Sequence, residues 1–406
     1  MIYLALALVF GSAISPLASA VTFHTSQIST DTGLSTRENM DVHVAADGTI
    51  FASYAIGNEA RLHRYDPATR TWSLESAVPA APLMETALGS DGRIHLAYAS
   101  VDPATTAYTV SYTVYDPVTR SWSATETAFS AAGAYDASTL SLTLDSNDNP
   151  LIAFGFDVNP PGSALPTGFY RYVTRSAPGS WNDTFVSLTN APIEIEAAYD
   201  ALDRLHLAYN FNNNGPSYPY AVRYYNPATN TTEDVVTVTG STTRLHDLSI
   251  TPANEAVVLY EVLGSADGVT ASLRSALGNS FAPTGLQQPD AAALALDSAG
   301  AFQLALANVN AGANPGTLYT AYPSGAGGWL PAQTIDPSTS SGVAIASSGS
   351  DLYLLYANPE GSSNPCVFLA STLSLANTSV PEPTHLVPLL LSAALGFGAQ
   401  RRSRRR

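Results

Sequence analysis

The sequence predicts an all-β protein, a single seven-bladed β-propeller of four-stranded blades, and three observations carry that prediction. A turn followed by a short apolar strand, Asp91-Gly92-Arg93-Ile94-His95-Leu96-Ala97-Tyr98, recurs in degenerate form seven times. With Gly92 as the anchor, the equivalent positions are Gly48, Asp148, Asp203, Asn254, Gly300 and Ser350, all residue types that tolerate left-handed backbone or close a side-chain turn. Six residues after each anchor stand Tyr54, Tyr98, Phe154, Tyr209, Tyr260, Leu306 and Tyr356. The anchors are 44, 56, 55, 51, 46 and 50 residues apart, a period of one blade.

Composition narrows the function classes. Charged residues make up only 12% of the 406 residues, with Ala, Ser and Thr in their place, so the surface is neutral and hydroxyl-rich. All 17 basic residues are Arg, and five of them are Arg401, Arg402, Arg404, Arg405 and Arg406; the remaining 12 face 33 acidic residues. Such a body repels phosphate backbones, which excludes nucleic acid as a partner. The lone Cys366 excludes an intramolecular disulfide and a cysteine metal site.

Taken in order, residues 1–20 read as a secretory signal peptide, an apolar run closed by Ala18-Ser19-Ala20, which implies signal peptidase as a processing partner. The propeller occupies 21–373. Blade 1 shows the full pattern, with strands expected at 40–46, 49–55, 61–65 and 72–78, each of ordinary length. Between its third and fourth strands lies Tyr65-Asp66-Pro67-Ala68-Thr69-Arg70-Thr71-Trp72. Pro after Asp presets a tight turn, and the Asp side chain can accept from the backbone two residues on. Blade 2 repeats it as Tyr115-Asp116-Pro117-Val118-Thr119-Arg120-Ser121-Trp122, and blade 4 keeps Tyr225-Asn226-Pro227-Ala228-Thr229. Blades 3, 5 and 6 keep only an aromatic residue at the start of the fourth strand: Trp181, Phe281 and Trp329. This turn resembles that of the kelch repeat, although the double glycine of kelch repeats is absent, and no kelch activity is carried over.

Ring closure needs an explanation of its own. Blade 7 offers strands at 342–347, 352–357 and 366–371 and then decays into a Ser- and Thr-rich linker at 374–379. Its fourth strand is expected from the other end of the chain, at 22–28, which leaves no open edge.

Residues 380–406 are a separate device. Val380-Pro381-Glu382-Pro383 precedes an apolar run at 386–399 and the arginine cluster. That order resembles the PEP-CTERM sorting signal of Gram-negative bacteria. The resemblance implies a hydrophobic sorting helix that anchors the chain transiently in the inner membrane, recognition by an exosortase, removal of the tail, and release to the cell surface or extracellular matrix. The run itself spans about 21 Å, short of a ~30 Å hydrocarbon core, so local thinning has to accommodate it. The arginines hold the C-terminus in the cytoplasm.

Two sets of side chains are candidates for chemistry. Seven residues before each anchor stand Asp41, Glu85, Ser141, Glu196, Asp247, Ala293 and Val343, which places a carboxylate on the innermost strand of blades 1, 2, 4 and 5. Seven-fold geometry gathers these four at the mouth of the axial channel. There they raise one another's pKa values unless solvated, protonated or neutralised. A water-filled mouth that needs polar lining is the simplest account; a hard-ligand cation such as Ca2+ or an acid/base pair are the others. Beyond that ion no cofactor is called for. His95 and His206 share the position three past their anchors and read as semi-buried propeller histidines bonded to a neighbouring blade.

The loops between second and third strands, at 157–167 and 210–217 with Tyr218 and Tyr220 beside them, are rich in residues used for recognition. The functional reading from sequence is therefore an exported propeller that binds carbohydrate, such as extracellular polysaccharide, or protein. The alternative is a hydrolase or lyase acting on a glycan through a carboxylate pair at the top of the channel. A sialidase is disfavoured, because only Arg37, Arg61 and Arg244 could reach that end.

Overall fold

A computed structural model describes residues 21–375 apart from 30–39, 80–82, 103, 133, 159–166, 190–193, 213–218, 227–228, 267, 276–277, 285, 287–288, 299, 309–315, 323–327, 338–341, 358–365 and 374. Residues 1–20, read above as a signal peptide, residues 380–406, read as a sorting signal with Val380 to Pro383 and the arginine tail, Tyr218, and most of both long loops lie outside the described residues. No described helix is long and apolar enough to cross a membrane.

Seven antiparallel sheets form a ring, each a meander from an innermost strand A to an outermost strand D. Blade 1 consists of Met40–Val44, Ile50–Ile56, Glu59–Asp66 and Thr71–Pro79, within two residues of expectation at nearly every boundary. Strand B is buried on both faces: in blade 1 all of its residues but the last are buried, and in blade 3 Leu151, Ile152, Ala153 and Phe154 are all fully buried. A strand wedged between two neighbouring blades has no solvent face, so it carries no alternation of polar and apolar residues.

The ring closes as the sequence predicts. His24–Ser29 pairs antiparallel with Val367–Ser371 and supplies strand D of blade 7, whose other strands are Gly342–Ser348 and Asp351–Ala357. The seam to blade 1 is sealed by Ile28, Tyr54, Trp72, Leu355 and Leu369 in one apolar cluster.

The anchors adopt the backbone that selected them. Gly48, Gly92, Asp148, Asp203, Asn254 and Gly300 have φ between 56° and 83°. Blade 7 departs from this. Its A–B hairpin pairs Ser348 with Asp351 across a two-residue turn, so Gly349 and not Ser350 carries the positive φ, at 61°. The shorter turn shifts strand A by one residue, and Ala344 rather than Val343 faces the position that Asp41 holds in blade 1.

Side chains at these turns also stitch blades together. Asp148 accepts from Ser90 N and Oγ of the preceding blade (2.8 and 2.7 Å), Asp203 does the same for Ser146 (2.7 and 2.6 Å), and Asn254 accepts from Ala201 N (3.0 Å).

The Tyr-Asp-Pro turns of blades 1 and 2 share their hydrogen bonds and ring packing. Asp66 Oδ1 accepts from Ala68 N and Asp116 Oδ1 from Val118 N, both at 2.8 Å. Tyr65 and Trp72 then pack at 5.4 Å with 53° between planes, and Tyr115 and Trp122 at 5.2 Å with the same angle. Two outer strands differ from expectation. Trp329 precedes strand D of blade 6, which begins at Gln333. Strand D of blade 2 is broken into Ser121–Trp122 and Glu126–Ala131.

Candidate functional site

An axial cavity of about 380 Å3 opens where the A strands begin, and Asp41, Glu85, Glu196 and Asp247 all line it. The pairing of A with B strands explains the convergence. Asp41, Glu85, Ser141, Glu196, Asp247 and Ala293 pair with Ser53, Ala97, Ala153, Ala208, Leu259 and Ala305, the same rung in six blades. Ser141, on that rung, instead bonds to the next blade, as the aspartates do.

What these residues do is more specific than lining. Asp41 Oδ2 accepts from Thr86 N (2.8 Å) and Thr86 Oγ1 (2.9 Å), and Asp247 Oδ2 accepts from Leu294 N (2.7 Å). Ser141 Oγ accepts from Ala197 N at 3.1 Å. In each case the side chain on this shared rung of strand A holds the next residue of the adjacent A strand. This is an interblade clamp, made by Asp in blades 1 and 5 and by Ser in blade 3.

The clamp in blade 1 is part of a network that His43 completes. Thr86 Oγ1 donates to Asp41 and lies 2.7 Å from Ser53 Oγ and 2.9 Å from His43 Nε2. A hydroxyl with one proton and two lone pairs is thereby saturated, which makes Ser53 and His43 Nε2–H the donors. Burial pushes the His43 imidazole down to about 4, so it is neutral across the physiological range.

Electrostatics sets Asp41 and Asp247 apart. Burial pushes both carboxyls up to about 6; the bonds from Thr86 oppose this at Asp41, and the charge of Asp247 adds to it. Two carboxyls thus line one cavity and titrate within the range where proton transfer works near neutral pH. Asp41 Oδ1 has no hydrogen bond to any described residue, which leaves it available to the cavity.

Among the described residues no group of three or more His, Cys, Asp or Glu side chains is placed to hold a metal ion. The four acids share a cavity without forming a chelating set. No arginine lines it either, so a triple-arginine carboxylate clamp is missing from the described wall. Arg61 pairs with Glu59 (3.5 Å) and Arg244 Nη1 donates to Pro289 O (2.8 Å), while Arg37 lies outside the described residues.

Sequence reasoning missed two histidines in this wall. His43 sits two residues past Asp41 on the same side of strand A, a spacing that period-two alternation could have flagged. His246 reaches the cavity through a register shift between Leu245 and Asp247, which no local pattern announces.

The other two histidines require a correction. They bond within their own blade rather than to a neighbour. His95 Nδ1 lies 2.6 Å from Tyr112 Oη and His206 Nδ1 2.6 Å from Tyr224 Oη, each tyrosine on strand C of the same sheet. Blade 6 builds the same contact from Gln303, whose Oε1 accepts from Tyr319 Oη at 2.6 Å.

No family model matches the chain, and no curated protein matches its sequence. Solved structures do match its fold. An ulvan lyase bound to a GlcA–Rha saccharide aligns with a TM-score of 0.56 at 9% identity, over 85% of this chain and 95% of that one. A second polysaccharide lyase gives 0.54 at 10%, over 87% and 99%. The α-L-arabinanase of Penicillium chrysogenum with arabinobiose gives 0.51 at 10%, over 87% and 99%. At such identities the similarity establishes the propeller and nothing about its site.

Proposed function

We propose that this chain is an exported propeller that acts on a glycan, with the axial cavity as its site and Asp41 and Asp247 as its acid/base carboxyls. The observation that carries the reading is the pair of carboxyls raised to about 6 in one open axial cavity. A carboxyl of that kind holds its proton at mildly acidic pH and can give it to a leaving oxygen, while an ionised partner receives one. Glycan hydrolysis uses such a carboxyl pair, and glycan elimination likewise needs a general base and a general acid. The activities of the structural neighbours are compatible with this substrate class.

Binding without turnover is the second reading, and Ser141 favours it. Blade 3 makes the same clamp with a group that cannot transfer a proton at neutral pH, so the position has a purely structural form. A glycan array on the purified propeller combined with a product-release assay separates the two. Release that is lost in Asp41→Asn and Asp247→Asn supports catalysis, whereas array signal with no release in the wild type leaves recognition alone.

Export belongs to the same proposal. Signal peptidase removes residues 1–20, an exosortase recognises Val380-Pro381-Glu382-Pro383, and the propeller reaches the surface or matrix, where polysaccharide is at hand. Mass spectrometry of the native protein is expected to find neither the leader nor Arg401 to Arg406; an intact arginine tail in the mature form overturns the sorting step.

A further inference from the structure

Strand D of blades 1 and 2 each takes a bond from the indole of the next blade, and the closing seam does not repeat it. Opposite Leu62 on strand C of blade 1 stands Ser76, whose Oγ accepts from Trp122 Nε1 of blade 2 at 2.7 Å. The same position in blade 2, opposite Tyr112, is Glu126, whose Oε2 accepts from Trp181 Nε1 of blade 3 at 3.2 Å. In blade 7 it is Ser26, opposite Leu369, and the corresponding indole is Trp72 of blade 1. The apolar contacts there are repeated: Leu369 clusters with Tyr65 and Trp72 as Leu62 does with Tyr115 and Trp122. The bond is not. Ser26 and Trp72 are 4% and 3% exposed, and neither Ser26 Oγ nor Trp72 Nε1 has a hydrogen-bond partner.

Backbone form explains the failure. In blade 1 Leu62 and His63 pair with Ser76 and Leu74, so Glu75 is an extra, bulged residue. Both Glu75 and Ser76 then serve blade 2, Glu75 Oε2 accepting from Tyr115 Oη at 2.7 Å. Blade 2 has no bulge at that point, its register shift falling between Thr127 and Phe129, and one long side chain does both tasks: Glu126 takes Trp181 and Arg175. Blade 7 combines the backbone of blade 2, with its shift between Gln27 and Ser29, and the short serine of blade 1. The serine oxygen sits two bonds nearer the chain than a glutamate oxygen and falls short of the indole. Two buried polar atoms without partners oppose closure of this seam, and both recover hydration when the strand leaves.

The closing strand is also tied differently from its counterparts. In the other six sheets strand D follows strand C directly in the chain, whereas His24–Ser29 pairs with Val367–Ser371 from the opposite end. Its release therefore breaks no hairpin. It is held by the ladder, by Ile28 in the apolar seam, and by Phe23 just before it, whose ring meets Tyr319 of blade 6 at 5.1 Å. Gln27 Nε2 adds a bond to Cys366 Sγ at 3.2 Å, which places the one cysteine of the chain, buried, against this strand.

We propose that residues 21–29 form a releasable latch. The ring opens at the seam between blades 7 and 1 while the blades themselves stay folded, and the strand edge that this uncovers accepts the same segment from a second copy of the chain. Neither step involves the axial carboxyls.

The reaction of Cys366 with a thiol reagent, on the purified chain in native buffer, reads the opening. Ser26→Gln gives the seam an amide oxygen with the reach of Glu126, and is expected to slow labelling tenfold or more. Trp72→Phe is expected to leave labelling within twofold of the wild type, since its N–H makes no bond, but to restore the fast rate in the Ser26→Gln background. Ser141→Ala, which weakens a different seam, is expected to leave the rate unchanged. Trp122→Phe removes a bond that is made, so it lowers the thermal midpoint while Trp72→Phe does not; this contrast decides by itself if Ser26→Gln does not fold. A fluorescent peptide of residues 21–29 is expected to enter the wild-type chain on the timescale of Cys366 labelling, and to enter Ser26→Gln tenfold more slowly. Labelling that follows global unfolding in every variant, a Trp72→Phe as costly as Trp122→Phe, or no uptake of the peptide while Cys366 reacts would each overturn the proposal.

Discussion

Asp41 and Asp200 are the same residue type, both on or beside an innermost strand, and the fold drives them in opposite directions. Asp41, in the channel wall, is pushed up to about 6 by burial. Asp200, in the A–B turn of blade 4, has a side chain with 0% exposure, yet it is held near 2. Burial opposes ionisation at both. The difference lies in the donors. Asp200 accepts from Leu202 N (2.9 Å), Arg204 N (2.9 Å), Arg204 Nε (2.6 Å) and His206 Nε2 (3.2 Å). Asp41 has two donors, both on Thr86, and faces the like charge of Asp247. Burial alone therefore says nothing about sign; the count and charge of donors does. A turn carboxylate is committed to holding structure, whereas a channel carboxyl left half-satisfied is the kind a reaction can use.

The same substitution at the two sites is expected to have opposite effects. At Asp41 the folded pKa lies above the unfolded 3.8, so ionisation is harder in the folded state. The penalty is absent below pH 3.8, grows as pH rises, and is complete above about 6, where it reaches roughly 3 kcal/mol. At Asp200 the folded value lies below 3.8, so its stabilisation is present above pH 3.8 and is lost as pH falls through about 2. Asp200→Asn is expected to have the largest effect, a loss of about 2–4 kcal/mol at pH 7, because an amide nitrogen meets donors where an acceptor stood. Chemical unfolding at pH 7 and pH 3 checks it, and a deficit that does not shrink at the lower pH would contradict the assignment.

Asp41→Asn is expected to be next and to stabilise. Its carbonyl keeps the bonds from Thr86 while the buried charge is gone, so the thermal midpoint rises at pH 8 and stays level at pH 4. Activity on glycan, if the axial reading holds, falls in the same variant by two or more orders of magnitude. A midpoint that drops at pH 8 would mean that the carboxylate is needed in its charged form, and the comparison with Asp200 would collapse.

Much of this frame was legible in the sequence because it is local. A positive φ selects Gly, Asp or Asn, and six of seven anchors obey. The seventh misled because a two-residue hairpin moved the left-handed residue to Gly349. The rung of Asp41, Glu85, Glu196 and Asp247 was legible for the same reason, since constant spacing from the anchor fixes a constant place in the strand. Its bonding was not. Asp41 and Thr86 are 45 residues apart, and nothing near either residue states that the second A strand supplies the donor. The histidines show the converse. Their position was visible, but the partner tyrosines stand 17 and 18 residues on, and the assumption of a neighbouring blade was wrong.

The smallest effect belongs to the uncharged clamp, and it sharpens the contrast most. Ser141 Oγ accepts from Ala197 N at 3.1 Å in a buried seam between blades 3 and 4. Ser141→Ala removes one neutral bond and leaves a buried N–H, which costs about 1 kcal/mol, with an upper range near 3. No titrating group takes part, so the loss is expected to be the same at pH 4 and pH 8. A clamp made by Asp41 contains two separable contributions, the bond to the next blade and the cost of a buried charge, and Ser141 isolates the first. If Ser141→Ala is pH-dependent, the seam is coupled to the carboxyls across the channel and the clamps cannot be treated one by one. If it costs nothing, the bond at this rung does not hold blades together, and the apolar seams alone carry the join between blades 3 and 4.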